Sequence, residues 1–294
     1  MDIASCIVTY NPDYELLEST LHKLKTSGCV SIVIDNTGTH NKNIDSDILI
    51  YNYKNFGLGK AYNQCLEIAK KDGYEWLLLL DQDSRLNDQF NPHEPVQKLA
   101  KYQDFYIKTA ILSINKDIST KILKLNDDFY LTKYVVGSGS MLEVNKCYSD
   151  PFLENLFLYS IDIEYSVRMR KKGYFLLSYS KQMIDYTMGQ EIRMFKRRFN
   201  TLTFKILSKL LHKDLTRYPY YKNTNRYYLM LRNDLYLLLR RKVDISYVRY
   251  IPLLIAYINE TDGFLNGNIK VLKAVLHSIK GDLDKDNLET TSAL

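Results

Sequence analysis

The chain has 294 residues, 46% of them hydrophobic and 25% charged, with a formal net charge of +6 at pH 7. That length suits one large domain or two ordinary ones, and the composition is that of a globular protein with a sizeable core. A mainly disordered chain, a collagen-like repeat and a disulfide-dense mini-protein are excluded. The 25 tyrosines lift the aromatic content to 13%, and each offers a stacking face together with a hydroxyl, which suits nucleotides and sugars.

Ile3 to Thr9 (IASCIVT) is a short apolar run rich in β-branched residues, which predicts a strand that Asn11-Pro12 breaks. Tyr14 to Lys25 carries Leu16, Leu17, Leu21 and Leu24 at helical spacing and stops at Gly28. Val30 to Ile34 and Ile48 to Tyr51 read as strands, Leu58 to Lys71 as a helix, and Trp76 to Leu80 as a wholly apolar strand running into Asp81. Strands separated by such helices predict a parallel α/β sheet buried on both faces. Asn11, Asp35 and Asp81 follow the strands' C-terminal ends, where open α/β sheets bind ligands.

From about Leu142 the pattern changes. Ile161 to Lys172 and Tyr227 to Arg241 read as helices. Between them, Ile192 to Lys213 holds seven basic residues (Arg193, Lys196, Arg197, Arg198, Lys205, Lys209, Lys213) and no acid, so the basic character of the chain is one segment. Apolar residues such as Phe195, Phe199, Leu202 and Ile206 run through it at roughly helical spacing. It reads either as an amphipathic element drawn to anionic lipid or as a helix packed on the core with its lysines in solvent. No recognised motif supports nucleic-acid binding. The residues from about Gly281 are polar and predict a frayed tail.

Cys6, Cys29, Cys65 and Cys147 lie far apart without C-x-x-C spacing. This argues against a zinc site and predicts reduced thiols in a cytosolic setting. The start has no basic-then-apolar pattern of a signal peptide. The apolar stretch Ile251 to Ile258 is less than half of the roughly 20 residues that a membrane span needs.

Three features point to chemistry. In WLLLLDQDS, a buried strand delivers Asp81 and Asp83 side by side to a sheet edge, sharing a direction because residues i and i+2 of a strand do. Two such carboxylates repel unless a cation intervenes, and Mg²⁺ or Mn²⁺ shared with substrate phosphates would serve. In Asn55-Phe56-Gly57-Leu58-Gly59-Lys60-Ala61-Tyr62-Asn63, two glycines let backbone approach a ligand at a helix N-terminus that favours an anion. It is neither a Walker A loop nor G-x-G-x-x-G. In the segment from Ile161 to Arg168, Glu164 and Arg168 form an i, i+4 pair of the kind worth tenths of a kcal/mol at a surface. Asp162 reads as a helix N-cap or, if it faces the same cleft as Asp81 and Asp83, as a general base.

Taken together, these residues resemble the family 2 glycosyltransferases with the GT-A fold, in particular the bacterial rhamnosyltransferase-like branch. The pieces run in family order over roughly residues 3 to 240. They begin with Val8-Thr9-Tyr10-Asn11-Pro12, Val33-Ile34-Asp35-Asn36, the Asn55–Asn63 loop and Leu80-Asp81-Gln82-Asp83-Ser84. They continue with Gly137-Ser138-Gly139-Ser140, Asp162 and Glu164 before Val167-Arg168, and Arg226-Tyr227-Tyr228 with Arg232-Asn233.

The resemblance implies an α/β GT-A domain over residues 1–190, a helical C-terminal extension over 191–280 and a disordered tail over 281–294. It implies inverting transfer from a nucleotide-sugar donor to a lipid-linked glycan acceptor. Thr9, Asn11, Asp35, Asn55, Gly57 and Asp81 would line the donor site, and Asp83 with Asp81 would hold Mg²⁺ or Mn²⁺. Asp162 would be the catalytic base. Arg168 would orient its helix rather than meet substrate, and Arg226 and Arg232 would approach phosphate or tie the C-terminal helix down. The branch favours dTDP-L-rhamnose, with UDP-galactofuranose and UDP-hexoses as alternatives. The setting would be the cytoplasmic, inner face of the bacterial plasma membrane, where the enzyme is peripheral and serves O-antigen or capsule synthesis. Oligomeric state is open.

Two departures stand out. Tyr186 occupies the place of a metal-binding His, which leaves Asp185 to substitute or the metal site weaker, and Tyr159 replaces an extra acid near Asp162. They motivate a rival reading, a GT-A scaffold without catalysis. A nucleotidyltransferase is disfavoured because no glycine-rich, lysine-bearing N-terminal loop is found.

Overall fold

The computed structural model describes residues 2–38, 43–115, 121–185, 192–193, 205–206, 208–209, 220–221 and 225–284. The chain divides into two compact units, Met1–Glu154 with Ile161–Thr187, and Asn155–Ser160 with Met188–Leu294.

The first unit is built on one mixed sheet. Strand β1 (Ile3–Thr9) leads to α1 (Tyr14–Thr26), β2 (Val30–Asp35), β3 (Ile48–Tyr51), α2 (Leu58–Lys71) and β4 (Trp76–Asp81). There follow β5 (Arg85–Leu86), α3 (His93–Ala100), α4 (Gln103–Lys108), β6 (Thr109–Ser113), β7 (Lys121–Lys124), β8 (Phe129–Thr132) and β9 (Ser140–Glu143). Helices α5 (Val144–Tyr148) and α6 (Ile161–Lys171), then β10 (Phe175–Tyr179) and β11 (Ile184–Asp185), complete it. The strand order is β3-β2-β1-β4-β9-β6-β10-β8-β7. The β3-β2-β1-β4 portion is parallel, as the alternation of strands and helices predicts. Strand β9 enters antiparallel between β4 and β6, so the sheet is mixed rather than a simple parallel one.

Strand β1 is buried along its whole length and β4 up to its terminal aspartate. Burial on both faces is why these segments read as continuous apolar runs. Asp13 caps α1 by accepting the N–H groups of Glu15 and Leu16, and Lys23 and Lys25 sit favourably in its last turn. Helix α2 buries Ala61, Tyr62, Cys65, Leu66 and Ala69 on one stripe. Close approach explains Gly59, where a β-carbon would come within 2.6 Å of the Leu153 carbonyl.

Cys6 of β1 and Cys65 of α2, both fully buried, are joined as a disulfide with Cα atoms 5.8 Å apart. The expectation of four reduced thiols is corrected for this pair. The residues are 59 apart in sequence, and only the docking of α2 on β1 makes them neighbours. Cys29 and Cys147 remain free and buried, and burial pushes both thiols up to about 12.

The second unit is helical, with α7 (Asn225–Leu239), a 3-10 turn (Ile245–Tyr250), α8 (Ile251–Asp262) and α9 (Phe264–Lys280). Tyr227 stacks on Tyr257 with ring centroids 5.0 Å apart, inside a core that includes Leu231, Leu254, Ile258 and Ala274. Within the same unit Asn233 donates to the carbonyls of Leu158 (2.7 Å) and Tyr159 (3.2 Å), and Ser160 donates to Asp234 (2.6 Å). Gly281 caps α9 and Leu283 is buried, and residues 285–294 lie outside those described. Most of the basic segment 192–213 also lies outside the described residues. Among the described residues, no helix is long and apolar enough to cross a membrane.

Candidate active site

The parallel strands deliver polar residues to one edge of the sheet, with Thr9 opposite Asp35 and Val8 opposite Asp81 in register. Strand β4 stops at Asp81. The next residues turn, with the Ser84 N–H reaching the Asp81 carbonyl at 3.0 Å. Strand alternation therefore does not set the direction of Asp83, which corrects the argument from i, i+2 spacing. A different contact fixes the turn, as the Gln82 amide accepts from the Tyr10 N–H (2.7 Å) and donates to the Tyr10 carbonyl (3.3 Å).

Asp81 is nonetheless in the company expected of it. Loss of hydration and then the charges of Asp83 and Asp162 push its carboxyl up to about 7. Asp162, on the first turn of α6, is also raised, chiefly by burial, although its oxygens accept N–H groups from Ile163 (2.9 Å) and Gly137 (3.1 Å). It therefore serves a backbone N–H well outside its own helix, which the N-cap reading does not provide for. The Gly137-Ser138-Gly139 turn entering β9 closes the edge. Ser138 Oγ shares a 2.7 Å hydrogen bond with Ser84 Oγ and lies 3.4 Å from the Asp81 nitrogen that donates to it.

Tyr62 carries no expectation from sequence, and the structure sets it beside the acids. It is almost fully buried, and its hydroxyl is raised well above the usual range by burial and by the charges of Asp81 and Asp162. A β-carbon on Gly137 would lie 3.4 Å from that hydroxyl. A tyrosine on the buried stripe of a helix reads as core, and only its place between two acids distinguishes it.

Beside the acids lies a polar cluster of the residues expected at the nucleotide. Asp35 is 3% exposed, and its Oδ1 accepts from Thr9 Oγ1 (3.0 Å), Thr37 N–H (3.0 Å) and Thr37 Oγ1 (2.6 Å). Thr9 is fully buried. Asn11 is exposed, has a left-handed φ of 46°, and donates its N–H to Thr37 Oγ1 (3.0 Å), a conformation that Asn tolerates. Asn55 accepts the Gly57 N–H at 2.9 Å. Gly57, at φ 82°, precedes α2 without any side-chain cap, leaving the helix N-terminus as an anion-binding end.

As for a metal, the donor chemistry fits in part. Two carboxylates at an accessible edge, one with its proton affinity raised by the other, suit a hard divalent ion that takes its remaining ligands from phosphate and water. Among the described residues, no group of three or more His, Cys, Asp or Glu could hold a metal. Asp185 does not join Asp81 and Asp83 in such a group, since it sits in β11 opposite Arg85. Tyr186 lies outside the described residues.

Arg168 and Arg232 are engaged by neighbouring protein groups. Arg168 forms a bidentate pair with Glu164 (2.9 and 3.0 Å) and donates to the Asp150 carbonyl (3.2 Å). The Glu164 side chain is 2% exposed, so this is a buried pair and not the weak surface pair the spacing suggests. Arg168→Met, which strands that carboxylate, is expected to destabilise the fold by about 3–5 kcal/mol. Denaturant unfolding checks this, and adding Glu164→Leu should recover most of the loss. Arg232 is fully buried in the second unit, with Nε and Nη2 donating to Asn233 Oδ1 (3.2 and 3.1 Å). Arg226 is half-buried on the first turn of α7.

No protein-family model matches the chain. It is 34% identical over 108 residues to dTDP-rhamnosyl transferase RfbF from Shigella flexneri, a match covering 35% of this chain and 35% of that protein. The chain thus aligns with about a third of that relative. Solved structures with similarity include S. aureus TarS (15% identity, TM-score 0.44, 95% of this chain and 55% of that one). Apo UDP-glucose pyrophosphorylase is another (13% identity, TM-score 0.37, 62% of this chain and 92% of that one). The sequence match, made by a chain whose motifs run in family order, bears out over that third the resemblance to the rhamnosyltransferase-like glycosyltransferases.

Proposed function

We propose that the chain is an inverting glycosyltransferase that moves a sugar, L-rhamnose from dTDP-L-rhamnose in the first instance, onto a lipid-linked glycan at the inner membrane surface. The observation that carries the reading is the meeting of Asp81, Asp83 and Asp162 at the C-terminal edge of the parallel strands, next to the Thr9–Asp35–Thr37 cluster. The sequence match favours the dTDP-rhamnose donor.

In this reading Thr9, Asn11, Asp35, Asn55 and Gly57 seat the nucleotide, and the open N-terminus of α2 faces its diphosphate. Asp81 and Asp83 would hold Mg²⁺ or Mn²⁺, which when bound neutralises the departing diphosphate. Asp162 accepts the proton of the acceptor hydroxyl as that oxygen bonds to the anomeric carbon. The bond from this carbon to the diphosphate oxygen breaks on the opposite face, and the nucleoside diphosphate leaves with the electron pair. A base raised above the ordinary carboxylate range is better matched to a neutral hydroxyl than an exposed aspartate. The basic segment 192–213 would add attraction to anionic lipid.

The test is a thermal-shift panel of dTDP, UDP, GDP and CMP with and without Mn²⁺, followed by nucleotide release in the presence of a lipid-linked acceptor. At about 100 times its dissociation constant, dTDP with Mn²⁺ should raise the unfolding midpoint by about 5 °C. A shift with UDP alone among the nucleotides moves the donor to a UDP-sugar. No shift with any of them overturns the enzyme reading in favour of a scaffold.

A further inference from the structure

Helix α9 (Phe264–Lys280) presents its side chains the opposite way to a helix that packs its large apolar residues inward. The residues it buries are small, Gly267, Ala274 and Ser278, on the side that meets α7 and α8. Its large apolar residues, Leu265, Ile269, Leu272, Leu276 and Ile279, recur at spacings of four and three and are 47–74% exposed. Phe264 extends the stripe at 82% exposed. Residues so spaced share one face of a helix, and this face runs about 21 Å from Leu265 to Ile279 at 1.5 Å per residue. An apolar surface of that extent marks an interaction site rather than scattered surface hydrophobicity.

Charge identifies the occupant. Lys270 is paired with Asp262, which leaves Lys273 and Lys280 as the other basic residues of a helix that from Gly263 to Lys280 has no Asp or Glu of its own. A second copy seated along this stripe would bring the same lysines and no acid from its own α9 to meet them. An anionic lipid surface accepts both features, taking the apolar stripe at the acyl boundary and the lysines at its headgroups. No described helix is long and apolar enough to span, so α9 lies in the surface.

We infer that the outward face of α9 is a lipid-docking surface for anionic membranes. The inference rests on the membrane-surface reading given above and not on the transfer chemistry, and it assigns the contact to α9 in addition to the basic segment 192–213.

The experiment is co-sedimentation of the full chain with vesicles of phosphatidylcholine alone or with phosphatidylglycerol added, at low and high salt. Wild type should bind the anionic vesicles, and more weakly as salt rises. Leu272→Glu/Leu276→Glu should weaken binding at least tenfold with an unchanged unfolding midpoint. Both positions are exposed, and should that variant not fold, Lys273→Gln/Lys280→Gln provides the same comparison. Vesicle binding kept in the α9 variants but lost in Lys196→Glu/Arg197→Glu/Arg198→Glu overturns the inference and leaves the membrane reading standing. No binding by wild type overturns both. A dimer by sedimentation equilibrium that the α9 variants dissociate, without vesicle binding, assigns the face to a second copy and also overturns it.

Discussion

Asp162→Asn is expected to lower the turnover of sugar transfer by about 10²–10⁴-fold while nucleotide binding, read by thermal shift, is kept. The amide is the same size but takes no proton from the acceptor. In the native site both carboxylate oxygens accept backbone N–H groups, from Ile163 and Gly137. An amide satisfies one of them with its oxygen and sets its NH₂ against the other, so the midpoint and circular dichroism of the variant must accompany the rate. The pH dependence separates a base from a structural acid. Burial raises the Asp162 carboxyl, so the fold favours its protonated form, and the stability this gives is present at low pH and lost as pH rises through the raised pKa. Turnover moves the other way, rising as the base loses its proton. Asp162→Asn should therefore abolish the rising limb of the rate profile and flatten that part of the stability profile. A variant that keeps wild-type turnover would remove Asp162 from the chemistry.

Tyr159 and Ser160 have φ values of 66° and 62°, two consecutive left-handed residues that are not glycine. Such conformations cost on the order of 1–3 kcal/mol each and persist where surrounding structure holds them. The hydrogen bonds from Asn233 to Leu158 and Tyr159 and from Ser160 to Asp234 are what hold them within the second unit. Arg232, one of two arginines expected near phosphate or at a tie, has a local contact, donating to the Asn233 amide that holds the turn.

How far the sequence could be read depended on whether the relevant physics was local. Ile3–Thr9, Ile48–Tyr51 and Leu58–Lys71 are legible to the residue because apolar runs, breakers and helical spacing set them. Strand Ser140–Glu143 pairs with Trp76–Asp81 and Thr109–Ser113, segments remote from it in sequence, and no local pattern records such pairing, so the antiparallel insertion of β9 was not foreseeable. Tertiary adjacency was equally hidden. It joins Cys6 to Cys65, buries the Glu164–Arg168 pair and places Tyr62 between Asp81 and Asp162. The position of Asp81 at the end of a strand was legible because a wholly apolar run stops there.

The metal reading makes the sharpest demand on those acids. Divalent ions bind the deprotonated carboxylate, and the Asp81 carboxyl is pushed up to about 7 by lost hydration and by Asp83 and Asp162. The extra stabilisation that Mn²⁺ gives with dTDP should accordingly be small at pH 5, grow through pH 7 and level off above it. Without metal the trend reverses, because a folded-state pKa above the unfolded value of about 4 makes the contribution of Asp81 to stability fall as pH rises through that window. Asp83→Asn tests both arms. It removes the larger of the two charges acting on Asp81, so the Asp81 carboxyl should drop toward the ordinary range and the metal-free decline should shift to lower pH. It also removes a ligand, so the Mn²⁺-dependent part of the shift should vanish at every pH while dTDP alone still binds. A Mn²⁺ effect that survives Asp83→Asn and Asp81→Asn alike would assign the ion to the nucleotide and leave the two aspartates as electrostatic neighbours of Asp162.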